Sequence, residues 1–145
     1  MKKLSILFVS VLTLGLAVTS CSNDDDNASI EGKWQITEVG EILNGKEVLQ
    51  PYTNEGGCAN DILEFTADGK FVDTYSEYYN NKCNDYSENG TWTRDGNTLT
   101  KKYGTGADDN EKYEISELSG SKLKLQTTYS EGGITVSDVA VYKKI

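Results

Sequence analysis

Three dipeptides, Asn44-Gly45, Asp68-Gly69 and Asp95-Gly96, recur between short segments in which apolar and polar residues alternate, and they confine this chain to strands joined by tight hairpins. Gly, with Asn or Asp beside it, tolerates the positive φ of a two-residue type I′ turn, whose twist matches that of the strands it joins. Ser119-Gly120-Ser121 and Gly132-Gly133 mark two further turns. Strands are expected over 32–39, 46–50, 61–66, 70–78, 90–94, 97–103, 112–118, 122–129 and 134–143. No segment carries a helical period.

The alternation is clearest where Leu123, Leu125, Thr127 and Tyr129 share one face and Lys122, Lys124 and Gln126 take the other. The same logic turns Leu63 with Phe65, Phe71 with Tyr75, Leu99 with Tyr103, and Tyr113 with Ile115 inward. In the last strand Ile134 and Val136 are out of phase with Val139 and Val141, which predicts a bulge around Ser137-Asp138. Eight or nine hairpin-linked strands without helices make an all-β fold, either an up-and-down antiparallel barrel or a sandwich.

Composition tests whether such a fold has a core. From Cys21 onward, 22 of 125 residues are Leu, Ile, Val or Phe, a share usual for disordered chains. Nine Tyr and two Trp bring the count to 33. Aromatic residues are what strands bury, so the domain is thin in aliphatic residues and aromatic in its packing. The chain contains no His, which excludes Ser-His-Asp and Cys-His catalysis and the commonest zinc sites.

The N-terminus is chemically separate. Lys2 and Lys3 precede Leu4 to Val18, where 11 of 15 residues are hydrophobic, the pattern of a secretory signal over residues 1–20. The apolar run is shorter than the ~20 residues a bilayer-spanning helix needs. Val18-Thr19-Ser20-Cys21 resembles the lipobox of bacterial lipoproteins. That resemblance implies cleavage before Cys21, a diacylglycerol on its thiol and an acyl chain on its new amino group, a multi-chain anchor that holds the protein to a membrane. Ser22-Asn23-Asp24-Asp25-Asp26-Asn27 is too polar to pack and reads, with the anchor, as a tether over 21–29. Its acidic cluster resembles the export signal of Bacteroidetes-type surface lipoproteins, which implies an outer-membrane protein exposed on the cell surface. Without Lys2 and Lys3, 12 basic residues face 23 acidic ones, a net charge of −11. Nucleic acid is excluded as a partner on that balance.

Ile30-Glu31-Gly32-Lys33-Trp34-Gln35-Ile36 opens the domain at 30–145 with a Gly-x-Trp pattern. Then follow Cys58 with Asp61 to Phe65, Asp68-Gly69-Lys70-Phe71, Cys83, Gly90-Thr91-Trp92 leading to Asn97-Thr98-Leu99, and Val141-Tyr142-Lys143-Lys144. This order resembles the short lipocalin-like domains of bacterial lipoproteins. The resemblance implies an antiparallel up-and-down β-barrel of about eight strands, with Trp34 closing one end. Larger lipocalins rest an Arg on that Trp. Since the only Arg is Arg94, Lys143 or Lys144 takes the place here. A barrel of this size has room for side chains or one small ligand, and an apolar or amphipathic ligand would lie among Leu63, Phe65, Phe71, Tyr75, Leu123 and Leu125.

The stretch from Tyr75 to Tyr86 gathers four Tyr and several Asn and reads as lying in and beside a long loop. Tyr78, Tyr79 and Tyr86 there either shield the barrel rim or form an interaction surface for a glycan or a protein, since Tyr pairs a flat apolar face with a hydroxyl. Trp34 and Trp92 are read as core. Carboxylates are abundant, yet no spacing sets a pair at working distance for glycoside hydrolysis, and Asp108-Asp109-Asn110-Glu111 reads as a solvated turn. The Asp24–Asp26 run lacks the Gly and Glu of a calcium loop. The reading is therefore a binding protein, not an enzyme, with no metal and no cofactor.

With Cys21 assigned to lipid, Cys58 and Cys83 are an even pair in an exported chain, most simply a disulfide; a redox or metal role is the alternative. A bridge across 25 residues stabilises by about 3 to 4 kcal/mol in the chain-entropy model. The mature domain should show no thiol reactive to a maleimide until denaturant and reductant are both present, and labelling of both Cys in the native state would overturn the pairing.

Overall fold

The computed structural model describes residues 28–106 and 108–145. Nine strands run in chain order: β1 (Gly32–Leu43), β2 (Lys46–Pro51), β3 (Ile62–Phe65), β4 (Lys70–Tyr79), β5 (Lys82–Asp95), β6 (Thr98–Lys102), β7 (Asn110–Leu118), β8 (Lys122–Glu131) and β9 (Ile134–Lys144). Each pairs antiparallel with its neighbour in the order β2-β1-β3-β4-β5-β6-β7-β8-β9, and β9 pairs back onto β1. The sheet is therefore a closed all-β barrel. Nine strands fill eight positions, because β3 pairs with Gly32–Gln35 of β1 while β2 pairs with Glu38–Leu43 further along the same edge.

All three dipeptides turn the chain, but only one does so as a type I′ pair. Asn44 and Gly45 both have positive φ (53° and 75°), whereas in Asp68-Gly69 and Asp95-Gly96 only the Gly is positive, at 77° and 57°, so these two turns are not of type I′. A fourth Asx turn was not read from the sequence. Asn80 and Asn81 sit at φ 53° and 58°, so Tyr75 to Tyr86 is no long loop but the end of the β4–β5 hairpin, paired from Lys70↔Thr91 to Tyr79↔Lys82. Asn is the non-Gly residue that most readily enters this conformation, so two in succession turn the chain where no Gly does.

The bulge expected at Ser137-Asp138 is absent. β9 keeps continuous register with β8 from Lys122↔Lys143 to Glu131↔Ile134, and the register shifts fall instead between Ile36 and Glu38 of β1 and between Ile115 and Glu117 of β7. Both phases of β9 find cover, which removes the need to switch faces. Tyr142 packs on the core, while Val139 and Val141 point to the opposite side and are still only 3% exposed. On that side the β2 backbone approaches β1 at Gly40, where a Cβ would overlap Val48 O, and an ion pair joins Glu47 of β2 to Lys124 of β8.

One end of the barrel is packed solid. Trp34, Phe65, Phe71, Leu99 and Leu123 are fully buried there with Ile30, Leu63, Ile115, Leu118 and Leu125. Trp92 meets Phe65 edge to face at 5.4 Å and donates from Nε1 to Thr66 O. Trp34 closes this end: its Nε1 donates to Ile30 O at 2.6 Å, and Lys144 Nζ lies 4.9 Å over its ring. Of the two lysines proposed for that place, Lys144 fills it. Among the described residues every strand belongs to one sheet around one core, the organisation of a unit that can fold by itself.

Cys58 and Cys83 are bridged, with Cα atoms 5.6 Å apart. The bond ties the segment between β2 and β3 to the tip of the β4–β5 hairpin. Gly56 lies directly against Tyr78 there, leaving no room for a Cβ.

Gly90 is as tight a point of the wall as Gly40. It sits opposite Phe71, and a Cβ on it would overlap the Lys102 carbonyl oxygen and come within 2.8 Å of the Phe71 ring. Because one of the two obstacles is backbone, Gly90→Ala should destabilise the domain by about 1 to 3 kcal/mol in urea unfolding. An unchanged midpoint would contradict the close approach.

Candidate functional site

Toward the other end, the inward positions change chemistry. On β4 the inward series runs Phe71, Asp73, Tyr75; on β6 it runs Leu99, Lys101 and continues to Tyr103 just past the strand; on β7, Glu111, Tyr113, Ile115. Each contains a charged residue at the same two-residue spacing as its apolar neighbours. Strand periodicity thus forces Asp73, Lys101 and Glu111 into the lumen together.

Lys101 is the centre of this group. Its side chain is 5% exposed, and Nζ lies 2.6 Å from Asp73 Oδ2, 2.6 Å from the Tyr103 hydroxyl and 3.4 Å from Glu111 Oε2. The rings of Phe71, Tyr103 and Tyr113 surround it at 5.0, 5.0 and 5.4 Å. An ammonium withdrawn from water needs this compensation in carboxylates, hydroxyls and π-faces. The Tyr103 hydroxyl is 3.0 Å from both carboxylates, and Tyr113 donates to Glu111 at 2.6 Å.

The ionisation of these groups follows. Burial, then the Asp73 charge, holds the Tyr103 hydroxyl far above its ordinary range. Tyr113 rises through burial and its bond to Glu111, and Tyr142 through burial and the charge of Asp73. Burial alone would raise Glu111, but the hydrogen bond from Tyr113 and the charge of Lys101 outweigh it and hold the carboxyl below its usual range. Outside the network, burial and the hydrogen bond to Asp61 push Tyr52 up to about 12.

Two chambers adjoin this network and share Tyr113. One, of about 310 Å³, is bounded by the Lys101 network with Asp61, Tyr75 and Tyr142. The second, of about 380 Å³, has an apolar wall of Val39, Leu125 and Ala140 and carries Glu41 and Asp138 near its mouth. Of the residues expected to hold a ligand, Leu125 lines the second chamber and Tyr75 the first. Leu63, Phe65, Phe71 and Leu123 are packed into the closed end, each at most 2% exposed. Tyr86 stacks on Tyr75 at 5.5 Å and shares its face with Tyr79, whereas Tyr78 points to the other face of the hairpin. Cys21 and the tether lie outside the described residues.

The sequence reading missed Asp73, Lys101 and Glu111, although the signal was present. Phe71 with Tyr75, and Leu99 with Tyr103, were assigned inward, which carries the residue between each pair inward with them. Among the described residues, no group of three or more His, Cys, Asp or Glu is arranged to hold a metal.

A family model described as a lipocalin-like domain matches residues 30–125. A search of curated proteins returns no match. Among solved structures, a deswapped triple mutant of bovine odorant-binding protein shares 19% identity, covering 79% of this chain and 72% of that one, with a TM-score of 0.44. The bovine lipocalin allergen Bos d 2 shares 16% over 80% and 73%, at 0.45, and aphrodisin, a sex pheromone from female hamster, 15% over 81% and 76%, at 0.44.

The raised hydroxyls have a measurable sign. Folded-state values above the unfolded value of about 10 mean that the folded domain keeps protons that the unfolded chain releases. Stability is therefore complete below about pH 10 and falls as pH rises above it. Absorbance at 295 nm should show at least four of the nine Tyr (Tyr52, Tyr103, Tyr113 and Tyr142) un-ionised in the folded protein at about pH 11. All nine titrating together near 10 without unfolding would contradict the buried network.

Proposed function

Because this chain belongs to the family of lipocalin-like domains, we propose that it is a lipid-anchored outer-membrane protein whose barrel binds one small apolar or amphipathic molecule. The observation that carries the binding reading is the chamber of about 380 Å³ beside Val39, Leu125 and Ala140. It falls in the size range of small-molecule sites, which pair an apolar wall with a few placed polar groups. The packed lower half, closed by Trp34, gives that chamber a rigid floor. The role read from it is binding.

The anchoring reading is supported by the lipobox-like Val18-Thr19-Ser20-Cys21 and the acidic residues after it, and it places the barrel on the cell surface at the end of a short tether. The Asp-rich tether and the acidic domain would both stand in water there.

A second reading is favoured by Tyr79 and Tyr86, which are 68% and 44% exposed on one face of the β4–β5 hairpin. Flat aromatic faces at a barrel mouth suit a glycan or a protein surface.

Native mass spectrometry of the protein released from its own cell envelope tests these readings together. The expected species begins at Cys21, carries acyl chains and retains a small molecule that dissociates on unfolding. An unacylated chain with its first twenty residues intact would overturn the anchor. A ligand-free barrel that also fails to take up a solvatochromic apolar dye would overturn the binding reading in favour of the hairpin surface.

A further inference from the structure

The charges that face the lumen are unequal. Five carboxylates border the two chambers, Asp61, Asp73 and Glu111 in one and Glu41 and Asp138 in the other, against the single ammonium of Lys101. The lining of the two chambers thus carries a net excess of four negative charges, which favours a cationic group there.

Glu41 and Asp138 sharpen the point. They stand directly opposite each other on β1 and β9, both turned to the chamber side shared by Val39 and Ala140. Like charges directly opposed across two strands destabilise the sheet, and among the described residues no ion pair reaches either. Asp138 accepts a hydrogen bond from the Tyr129 hydroxyl at 3.3 Å. Lys46 stands opposite Leu43 nearer the rim and is exposed, and no ion pair reaches it among the described residues.

The neighbouring chamber shows what such an interior accommodates. There the Lys101 ammonium is held by two carboxylates, a tyrosine hydroxyl and three aromatic rings at 5.0 to 5.4 Å. An anionic head would meet the uncompensated carboxylates, and a neutral one would gain only from burial. We propose that the molecule bound in the second chamber, of about 380 Å³, is a cationic amphiphile, an amine or quaternary ammonium whose apolar body lies against Val39, Leu125 and Ala140 and whose head is held by Glu41 and Asp138. This inference rests on the lumenal binding reading and names the chemical class of its ligand.

Titration calorimetry of the barrel domain, residues 28–145, at low ionic strength compares n-decylamine, n-decanol and n-decanoate, each below its aggregation concentration. The amine should bind about ten-fold more tightly than the alcohol, with the acid weakest and the amine's advantage shrinking as salt is added. Glu41→Gln combined with Asp138→Asn removes both charges without touching the core, and should reduce the amine's ten-fold advantage over the alcohol, measured on the same variant, to less than about two-fold. Equal binding of amine and acid, or an amine preference that survives the double substitution, overturns the cationic assignment and leaves the binding reading standing. If none of the three binds, both fall together.

Discussion

Everything in this domain depends on the ladder between the first and last strands. β1 and β9 register from Trp34↔Lys144 to Leu43↔Val136, and only this seam converts an open meander into a barrel with a lumen. The register break at Thr37 lets β1 serve β3 along its first turn of barrel and β2 beyond it. Thr37 is itself held at the seam, its hydroxyl donating to Val141 O and its carbonyl accepting from Tyr52 N. Without closure, β1 and β9 would each present an unpaired edge, the feature through which sheets aggregate.

The barrel then divides its interior by chemistry. The closed half is solid with aromatic and aliphatic side chains, and this explains how a chain so poor in Leu, Ile, Val and Phe packs a core: Trp34, Trp92, Phe65 and Phe71 supply the bulk. The other half gives up packing for a paired charge. A buried ion pair seldom adds net stability over an apolar core, so the Lys101 network is better understood as fixing the rings of Tyr103 and Tyr113, of which Tyr113 borders both chambers. Removing its cation alone would leave Asp73 and Glu111 facing each other without compensation.

Local chemistry was legible in the sequence wherever one short stretch decides the outcome. Turn dipeptides placed the hairpins, and alternation in 122–129 named the inward face of β8. Asn80-Asn81 escaped because the pair lacks the Gly that usually signals such a turn, although its backbone does the same work. The misplaced bulge in β9 has a different origin: Val139 and Val141 are buried although they point away from the face of Tyr142, and alternation within one strand does not show that its second face is covered as well. Lys101 was hidden by a chemical prejudice, since its position in the alternation was as plain as that of Leu99 and Tyr103. A charged residue between two inward residues is ordinarily evidence against a strand; here it marks the lumen.

The seam also orders events in time. Ile145 N donates to Lys33 O, Lys144 N to Ser121 O, and the Lys144 ammonium caps the Trp34 ring. The final two residues thus lie against the opening strand and the β7–β8 turn. β1 therefore lacks one of its two partners until β9 is in place. The seam joins residues about a hundred positions apart, so closing it carries the largest loop-closure entropy of any strand pairing in the barrel.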